Sequence, residues 1–127
     1  VNEKGRTKDG RQAYGFLNDI MLAAIRDYRD LPGRNVVMIA KEEVEKDGAN
    51  GGLLFAPSMP GKKLTGDLPY FFDEVFRAQI FRNQGQPPVH ALLTQPDGMS
   101  IAKDRSGRLD QWEQPNLTNI FNKISSK

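Results

Sequence analysis

The feature that most constrains the fold is a short, continuous apolar run at residues 35–40, Asn-Val-Val-Met-Ile-Ala. A run of this kind, bounded by turn residues and preceded by a helical pattern, is typical of a strand buried on both faces of a parallel sheet. It ends abruptly at the polar residues Lys41 and Glu42. Ligands of open α/β sheets lie beyond the carboxyl ends of the strands, so these two residues are candidates for a site. The alternative is a strand that simply reaches water.

The remaining pattern alternates between helical and strand periodicity. Apolar residues at steps of three and four predict an amphipathic helix over residues 12–30, which Pro32 and Gly33 end. The other predicted elements are a hairpin pairing a segment near Val44 with residues 53–56, a short helix within 62–73, strands at 74–81, 89–94 and 99–103, and a helix over 116–124. Short turns join the three strands, which predicts an antiparallel meander.

The predicted fold class is therefore α/β, in the order helix, buried parallel-type strand, short helix, antiparallel meander and C-terminal helix. A parallel-type strand needs parallel neighbours, and this chain offers none before residues 35–40. We therefore expect the chain to be part of a larger sheet.

Length and composition set the broad class. The 127 residues, 38% of them hydrophobic, predict a single domain with a core, after a flexible lead-in at residues 1–11. The chain has no cysteine, which excludes disulfides and thiol chemistry, and its one histidine, His90, cannot build a metal cluster. The formal net charge of +2 permits contact with a polyanion without requiring it. With no long apolar run and no signal-like start, we expect a cytoplasmic protein without membrane contact.

No catalytic motif is complete. The nearest approach to a phosphate-binding loop, G-x-x-x-x-G-K-[ST], is residues 56–63, where Ala56 replaces the first glycine and Lys63 replaces the hydroxyl residue. That stretch also follows a glycine-rich hairpin and not a buried strand. The neighbouring carboxylates Glu42-Glu43 and Asp73-Glu74 point to opposite faces of a strand, so neither pair is a dyad by itself. The motifs alone do not make a self-sufficient enzyme.

Two cations one residue apart, Lys103 and Arg105, lie between an apolar pair and Gly107. On a strand they project from the same face, because side chains alternate with period two. Two long cationic side chains aimed the same way beside a turn form a suitable clamp for phosphate. The plainer alternative is a charged turn that faces water.

Several blocks of sequence, taken in order, resemble a known family. They are residues 9–15, 30–37, 57–64, 68–75, 94–98, 103–107 and 115–117, and the likeness extends from about Asp9 to Ile124. On these blocks the chain resembles the C-terminal portion of phage nucleotide-binding proteins with a RecA-like core, related to the phage single-strand-annealing ATPases. Members of that family carry a phosphate-binding loop and a magnesium-binding aspartate strand upstream, and this chain starts after both. The resemblance thus implies ATP and Mg²⁺ in a longer protein, of which this chain is a fragment or truncated product, inactive alone.

The resemblance also implies roles for residues near the nucleotide. Lys103 and Arg105 match a Lys-x-Arg finger that reaches the nucleotide of a neighbouring subunit in a ring or filament. Two cations beside the γ-phosphate would stabilise the charge that develops there. Lys41 and Glu42 match the position of a nucleotide-sensing polar residue after the core strand.

The loop from Glu43 to Lys63 matches the DNA-facing loop of RecA-like recombinases. The resemblance implies that Lys46, Lys62 and Lys63 contact phosphates of single-stranded DNA and that Phe55 stacks on a base. An exposed basic loop without a ligand is the alternative.

The leading hypothesis is the C-terminal half of a phage RecA-like ATPase that acts on single-stranded DNA in recombination or annealing, in the cytoplasm of a bacterial host. The alternative is a non-catalytic nucleic-acid-binding or regulatory module that lacks the ATPase front. A third hypothesis is a structural protein without a ligand, whose cations only keep the surface soluble.

Overall fold

The computed structural model describes residues 10–46 and 51–126 of the chain, which divides into two compact units. We call Val1–Glu43 with Pro57–Phe72 the helical unit, and Val44–Ala56 with Asp73–Lys127 the sheet unit. The predicted lead-in at residues 1–11 lies outside the described residues except for Gly10 and Arg11, which are helical. The prediction of a single domain stays a prediction.

The helical unit contains two helices and a 3₁₀ turn. Helix α1 spans Gly10–Arg29, which confirms the helix predicted from the apolar spacing, and the chain turns just beyond it at Gly33, whose φ is +66°. Helix α2 spans Lys62–Asp67 and runs into a 3₁₀ helix over Leu68–Phe71, within the predicted range 62–73. The buried apolar side chains of this unit are Ile25, Leu64 and Leu68.

Contacts between α1 and the 3₁₀ helix hold this unit together. The guanidinium groups of Arg26 and Arg29 lie 5.3 and 5.5 Å from the ring centroid of Phe71, within cation–π range. Pro69 occupies the first turn of the 3₁₀ helix, where a backbone N–H would have no helical partner. Among the described residues, no helix has the length and apolar character needed to cross a membrane.

The sheet unit is built mainly from short antiparallel strands. The chain enters it through the predicted hairpin, formed by β1 (Glu42–Lys46) and β2 (Leu53–Pro57). The remaining elements are β3 (Glu74–Val75), β4 (Arg77–Phe81), β5 (Val89–Leu93), β6 (Lys103–Asp104), β7 (Trp112–Glu113) and α3 (Leu117–Ser125). Strand β3 pairs with β6, and a separate sheet has the order β4-β5-β7. The class is mixed α/β with small antiparallel sheets.

The predicted meander is wrong in its third strand. Residues 99–103 do not pair with β5, whose second neighbour is β7. Asp97 Oδ1 accepts a hydrogen bond from Met99 N at 2.9 Å, and Gly98 has φ of +86°, so the chain reverses tightly. It then runs along β2, where Phe55 N donates to Met99 O and Ile101 N donates to Phe55 O. A turn signal predicts a reversal, but it does not determine which strand the chain meets afterwards.

The predicted buried strand at residues 35–40 is also wrong. The segment is not part of any sheet, and Val37, Met38 and Ile39 are exposed, Ile39 to 96%. Its backbone forms no hydrogen bond with any backbone group in residues 10–46 or 51–126. A strand can be buried on both faces only between neighbouring strands and layers, and the described part of the chain places none beside it.

Helix α3 closes the core of the sheet unit, as its apolar spacing predicts. Asn116 caps the helix, its side chain accepting a hydrogen bond from Asn119 N at 3.1 Å. Ile120 on α3 and Leu93 on β5 are fully buried. Lys123 holds the buried carboxylate of Glu113 at 2.7 Å, which ties the helix to β7.

We expect Leu93→Ala to lower the free energy of unfolding by about 2–5 kcal/mol, because it removes a fully buried side chain and leaves a cavity. Val89→Ala is the matched control, since Val89 lies on the same strand and is 57% exposed. It should cost less than about 1 kcal/mol. Urea denaturation of the two variants checks the difference, and equal losses would contradict the described core.

Candidate functional site

The candidate site is the pairing of β3 with β6 in the sheet unit. Val75 lies opposite Lys103 and Glu74 opposite Asp104, and Arg105 N donates to Asp73 O at 3.1 Å, one residue further along. Because successive side chains alternate between faces, Lys103 and Arg105 share one face and Asp104 lies on the other with Glu74. This common face rests on the same alternation as the prediction, and Arg105 lies in the bend just after β6, so it stays a prediction.

Arg105 is the exposed cation of this pair of strands. Its Nη1 lies 2.6 Å from Asp73 Oδ1, with 63% and 73% of the two side chains exposed. An ion pair this exposed contributes about 0–1 kcal/mol, so Asp73 orients the guanidinium without fixing it there. Lys103 is half-buried on the same face. An incoming anion therefore has to displace only one carboxylate, that of Asp73, to pair with the guanidinium of Arg105.

The carboxylate of Asp104 organises the turn that follows. Oδ1 accepts from Ser106 N at 2.9 Å and from Ser106 Oγ at 2.6 Å, and Oδ2 accepts from Leu109 N at 3.0 Å. Gly107 has φ of +67°, which suits glycine at the apex. Arg105 thus lies at the start of a turn closed by the residue before it.

The charges of Glu74 and Asp104 are coupled. Burial opposes ionisation of Asp104, but hydrogen bonds from Ser106, Leu109 and Glu74 outweigh it and lower the Asp104 pKa. Burial, together with the hydrogen bond and charge of Asp104, raises the pKa of Glu74 to about 7. Below about pH 7 a proton therefore resides on Glu74, while Asp104 is ionised.

Sequence reasoning missed this acid pair. Carboxylates that are neighbours in sequence, such as Asp73 and Glu74, point to opposite faces of a strand, as predicted. The partner of Glu74 lies 30 positions later, at Asp104, and only the strand register brings the two together.

The other predicted site residues lie in both units. Lys41 and Glu42 are exposed in the helical unit, and the backbone carbonyl of Lys41 accepts from Ser58 N. Lys62 and Lys63 are exposed at the start of α2. Their predicted roles, in nucleotide sensing and DNA binding respectively, stay predictions.

Phe55 and Lys46 belong to the sheet unit. Lys46 is exposed at the end of β1, and residues 47–50 lie outside the described residues. Phe55 is half-buried on β2, with the guanidinium of Arg77 only 3.7 Å from its ring centroid. Arg77 also donates to Ser100 Oγ at 3.1 Å. One face of the Phe55 ring is therefore covered by the protein, so a stacked base has only the other face to contact.

The described residues do not fit a complete site for ATP and Mg²⁺. Residues 56–63 lack the first glycine and the hydroxyl residue of a phosphate-binding loop, and α2 has only six residues. No group of three or more carboxylate or imidazole side chains within the described residues is arranged to hold a metal ion. A nucleotide would have to be held mainly by groups other than these.

The fold is mixed α/β, and the candidate site presents an exposed cation that a neighbouring carboxylate orients. A family model described as AAA domain matches residues 1–106, and the chain belongs to that family. The match includes Lys103 and Arg105. Searches of curated proteins and of solved structures give no match. Membership of an AAA family supports a nucleotide-binding, ATPase-related function in general terms.

We expect Arg77→Lys to lower the free energy of unfolding by about 1 kcal/mol, because lysine keeps the charge but loses the planar contact with Phe55. The control is Arg82→Lys, the same change at an exposed arginine next to β4. Urea denaturation should separate the two variants. If both behave alike, the Arg77–Phe55 contact does not contribute to the fold.

Proposed function

We propose that the chain is the C-terminal part of a phage RecA-like ATPase that acts on single-stranded DNA during recombination or annealing in the host cytoplasm. In this proposal Lys103 and Arg105 form the finger, which contacts the phosphates of a nucleotide held by a neighbouring subunit of a ring or filament. The AAA family match supports the ATPase part of the proposal.

The observation that carries the proposal is the position of Arg105. It is exposed, oriented by a weak surface pair with Asp73, and lies at the start of a turn closed by Asp104. A finger must be ordered before it meets its phosphate, since ordering a long side chain during reaction costs entropy. It must also be releasable, because a cation locked in a buried pair would not transfer to a ligand.

The chemistry required of the finger is electrostatic. In phosphoryl transfer, negative charge spreads over the oxygens of the transferred group, and nearby cations stabilise that charge. Arginine suits this role because its guanidinium stays charged and donates two parallel hydrogen bonds. Lys103, on the same face, adds a second positive charge.

The helical unit supports the view that more protein packs against this chain. Most of α1 is exposed, including Tyr14, Phe16, Ile20 and Tyr28, and residues 37–39 add further exposed apolar surface. Asn18 Oδ1 is buried without a hydrogen-bond partner among the described residues. Large apolar surfaces of this kind mark interaction sites, here in agreement with an ATPase core that the chain completes.

We expect Arg105→Ala in the complete ATPase to lower kcat by on the order of 10³-fold while nucleotide binding is retained, because the finger acts on charge that develops in the transition state. Lys103→Ala should act in the same direction. Arg82→Ala is the control, since it removes an exposed arginine outside the finger. Steady-state ATP turnover and nucleotide titrations check the result, and unchanged turnover in both finger variants would refute the proposed role.

A non-catalytic nucleic-acid-binding module is the second candidate. The observation in its favour is that Lys46, Lys62 and Lys63 are all exposed. Exposed lysines contact phosphates without reading sequence, and such contacts release counterions.

We expect the chain to bind single-stranded DNA with an affinity that falls as salt increases, because bound lysines displace counterions. Lys62→Ala should reduce the slope of log K against log salt by about 1, and Arg82→Ala should leave it unchanged. Fluorescence anisotropy with a labelled oligonucleotide over a salt series measures both slopes. Binding that does not depend on salt would contradict the assigned lysines.

A further inference from the structure

We propose that Glu74 and Asp104 are positioning residues for the finger, and that a proton shared between their carboxyl groups holds Arg105 in its working direction. The inference rests on the proposed function in one respect: that function supplies the phosphate toward which Arg105 is directed. The structural coupling itself does not depend on that function.

The acid pair lies on the face of the β3–β6 pair opposite the finger. Glu74 lies opposite Asp104 across the β3–β6 pair, and the same pairing continues to Asp73 and Arg105 on the other face. Strands of two residues have few hydrogen bonds, so a repulsive or attractive cross-strand pair affects a large share of the interaction between them. A change in the protonation of Glu74 and Asp104 should therefore alter the strand pairing at the next residue, Arg105.

Asp104 links the pair to the turn. Its two oxygens accept three hydrogen bonds, from Ser106 N, Ser106 Oγ and Leu109 N, and these bonds close the segment that begins with Arg105. The backbone of Ser106 also lowers the Glu74 pKa, against the rise caused by burial and by Asp104. Movement of the Asp104 carboxylate would redirect Arg105.

A proton is needed because both groups are acids. One oxygen of Glu74, Oε2, is buried without a partner among the described residues, and the hydrogen bond between the carboxyl groups exists only when one is protonated. When Glu74 ionises, two negative charges face each other across the strands, with Asp73 adding a third nearby. The positive groups, Lys103 and Arg105, lie on the opposite face, where Arg105 is paired with Asp73.

The direction of the pH dependence follows from the Glu74 pKa, which is about 7 in the folded chain and 4.5 as its ordinary value. The folded state binds the proton more tightly, so the stability from this pair is fully present below the ordinary value. It is lost as the pH rises through about 7. The turn that Asp104 closes, at residues 105–109, should change position over the same pH range.

The test is a pH titration of the full chain by NMR, following the backbone amides of Ser106 and Leu109 between about pH 5 and pH 9. We expect both amides to shift with a common midpoint near 7. In Glu74→Gln the midpoint should vanish, with both signals near their low-pH positions, because glutamine stays neutral and still donates a hydrogen bond. A folded chain whose two amides show no such transition would overturn the inference, as would a transition that survives in Glu74→Gln.

Two further variants keep the result interpretable. Asp104→Asn removes the negative charge that faces Glu74, so the Glu74 carboxyl signal should titrate at a lower pH, while burial still holds its pKa above the ordinary value. Asp97→Asn is the matched control, because Asp97 also accepts a bond from an amide two residues on but takes no part in this acid pair. It should leave the midpoint of Ser106 and Leu109 in place. An Asp104→Asn chain in which the Glu74 titration does not move to lower pH would overturn the inference.

These outcomes are separable from the fate of the proposed function. A transition lost in Glu74→Gln supports the coupling even where Arg105→Ala leaves ATP turnover unchanged, a result that would refute only the finger. Absence of the transition overturns the coupling even where Arg105→Ala abolishes turnover. In the complete ATPase, Glu74→Gln should also remove any fall in kcat through about pH 7, with KM little changed.

Discussion

The antiparallel pairing of β3 with β6 is the constraint on which the candidate site depends. Two residues of each strand face one another, and a further hydrogen bond joins Arg105 to Asp73. This short pairing gives each face a cross-strand charge pair, Arg105 with Asp73 on one side and Asp104 with Glu74 on the other. Without the register, the same residues would be unrelated charges on two loops. The site is therefore a property of the pairing more than of any single residue.

Local patterns predicted the helices well, because helix formation depends on neighbours three and four residues away. The spacing of apolar residues located α1 and α3, and the polar residue Asn116 before the apolar stripe acts as the cap. The errors concern strands, where the partner is far away in sequence. The run at residues 35–40 has the composition of a buried strand, but burial depends on neighbours that the described residues do not supply. Residues 99–101 meet β2, and Lys103 meets β3, instead of β5 for the same reason.

For the candidate site too, the sequence predicts what depends on neighbouring residues and not what depends on a distant strand. Alternation along a strand predicts that Lys103 and Arg105 share a face, which requires no knowledge of the partner strand. The partners Asp73 and Glu74 are about 30 positions earlier and become relevant only through the register. Sequence therefore identifies the cations, and structure identifies the acids that orient them. The turn signal at Gly107 was also local, but the bonds that close the turn come from Asp104, which the strand pairing places opposite Glu74.

The balance of charge around Lys103 and Arg105 has a consequence for anion binding. Lys103 and Arg105 contribute two positive charges, and Asp73 and Asp104 contribute two negative charges, so the cluster is neutral while Glu74 holds its proton. A phosphate, with more than one negative charge, competes well against the single carboxylate of Asp73 for the guanidinium. When Glu74 ionises, the cluster gains a net negative charge and the same phosphate is attracted less strongly. Protonation of Glu74 would then favour phosphate binding in two ways, by closing the turn that orients Arg105 and by lowering the local negative potential.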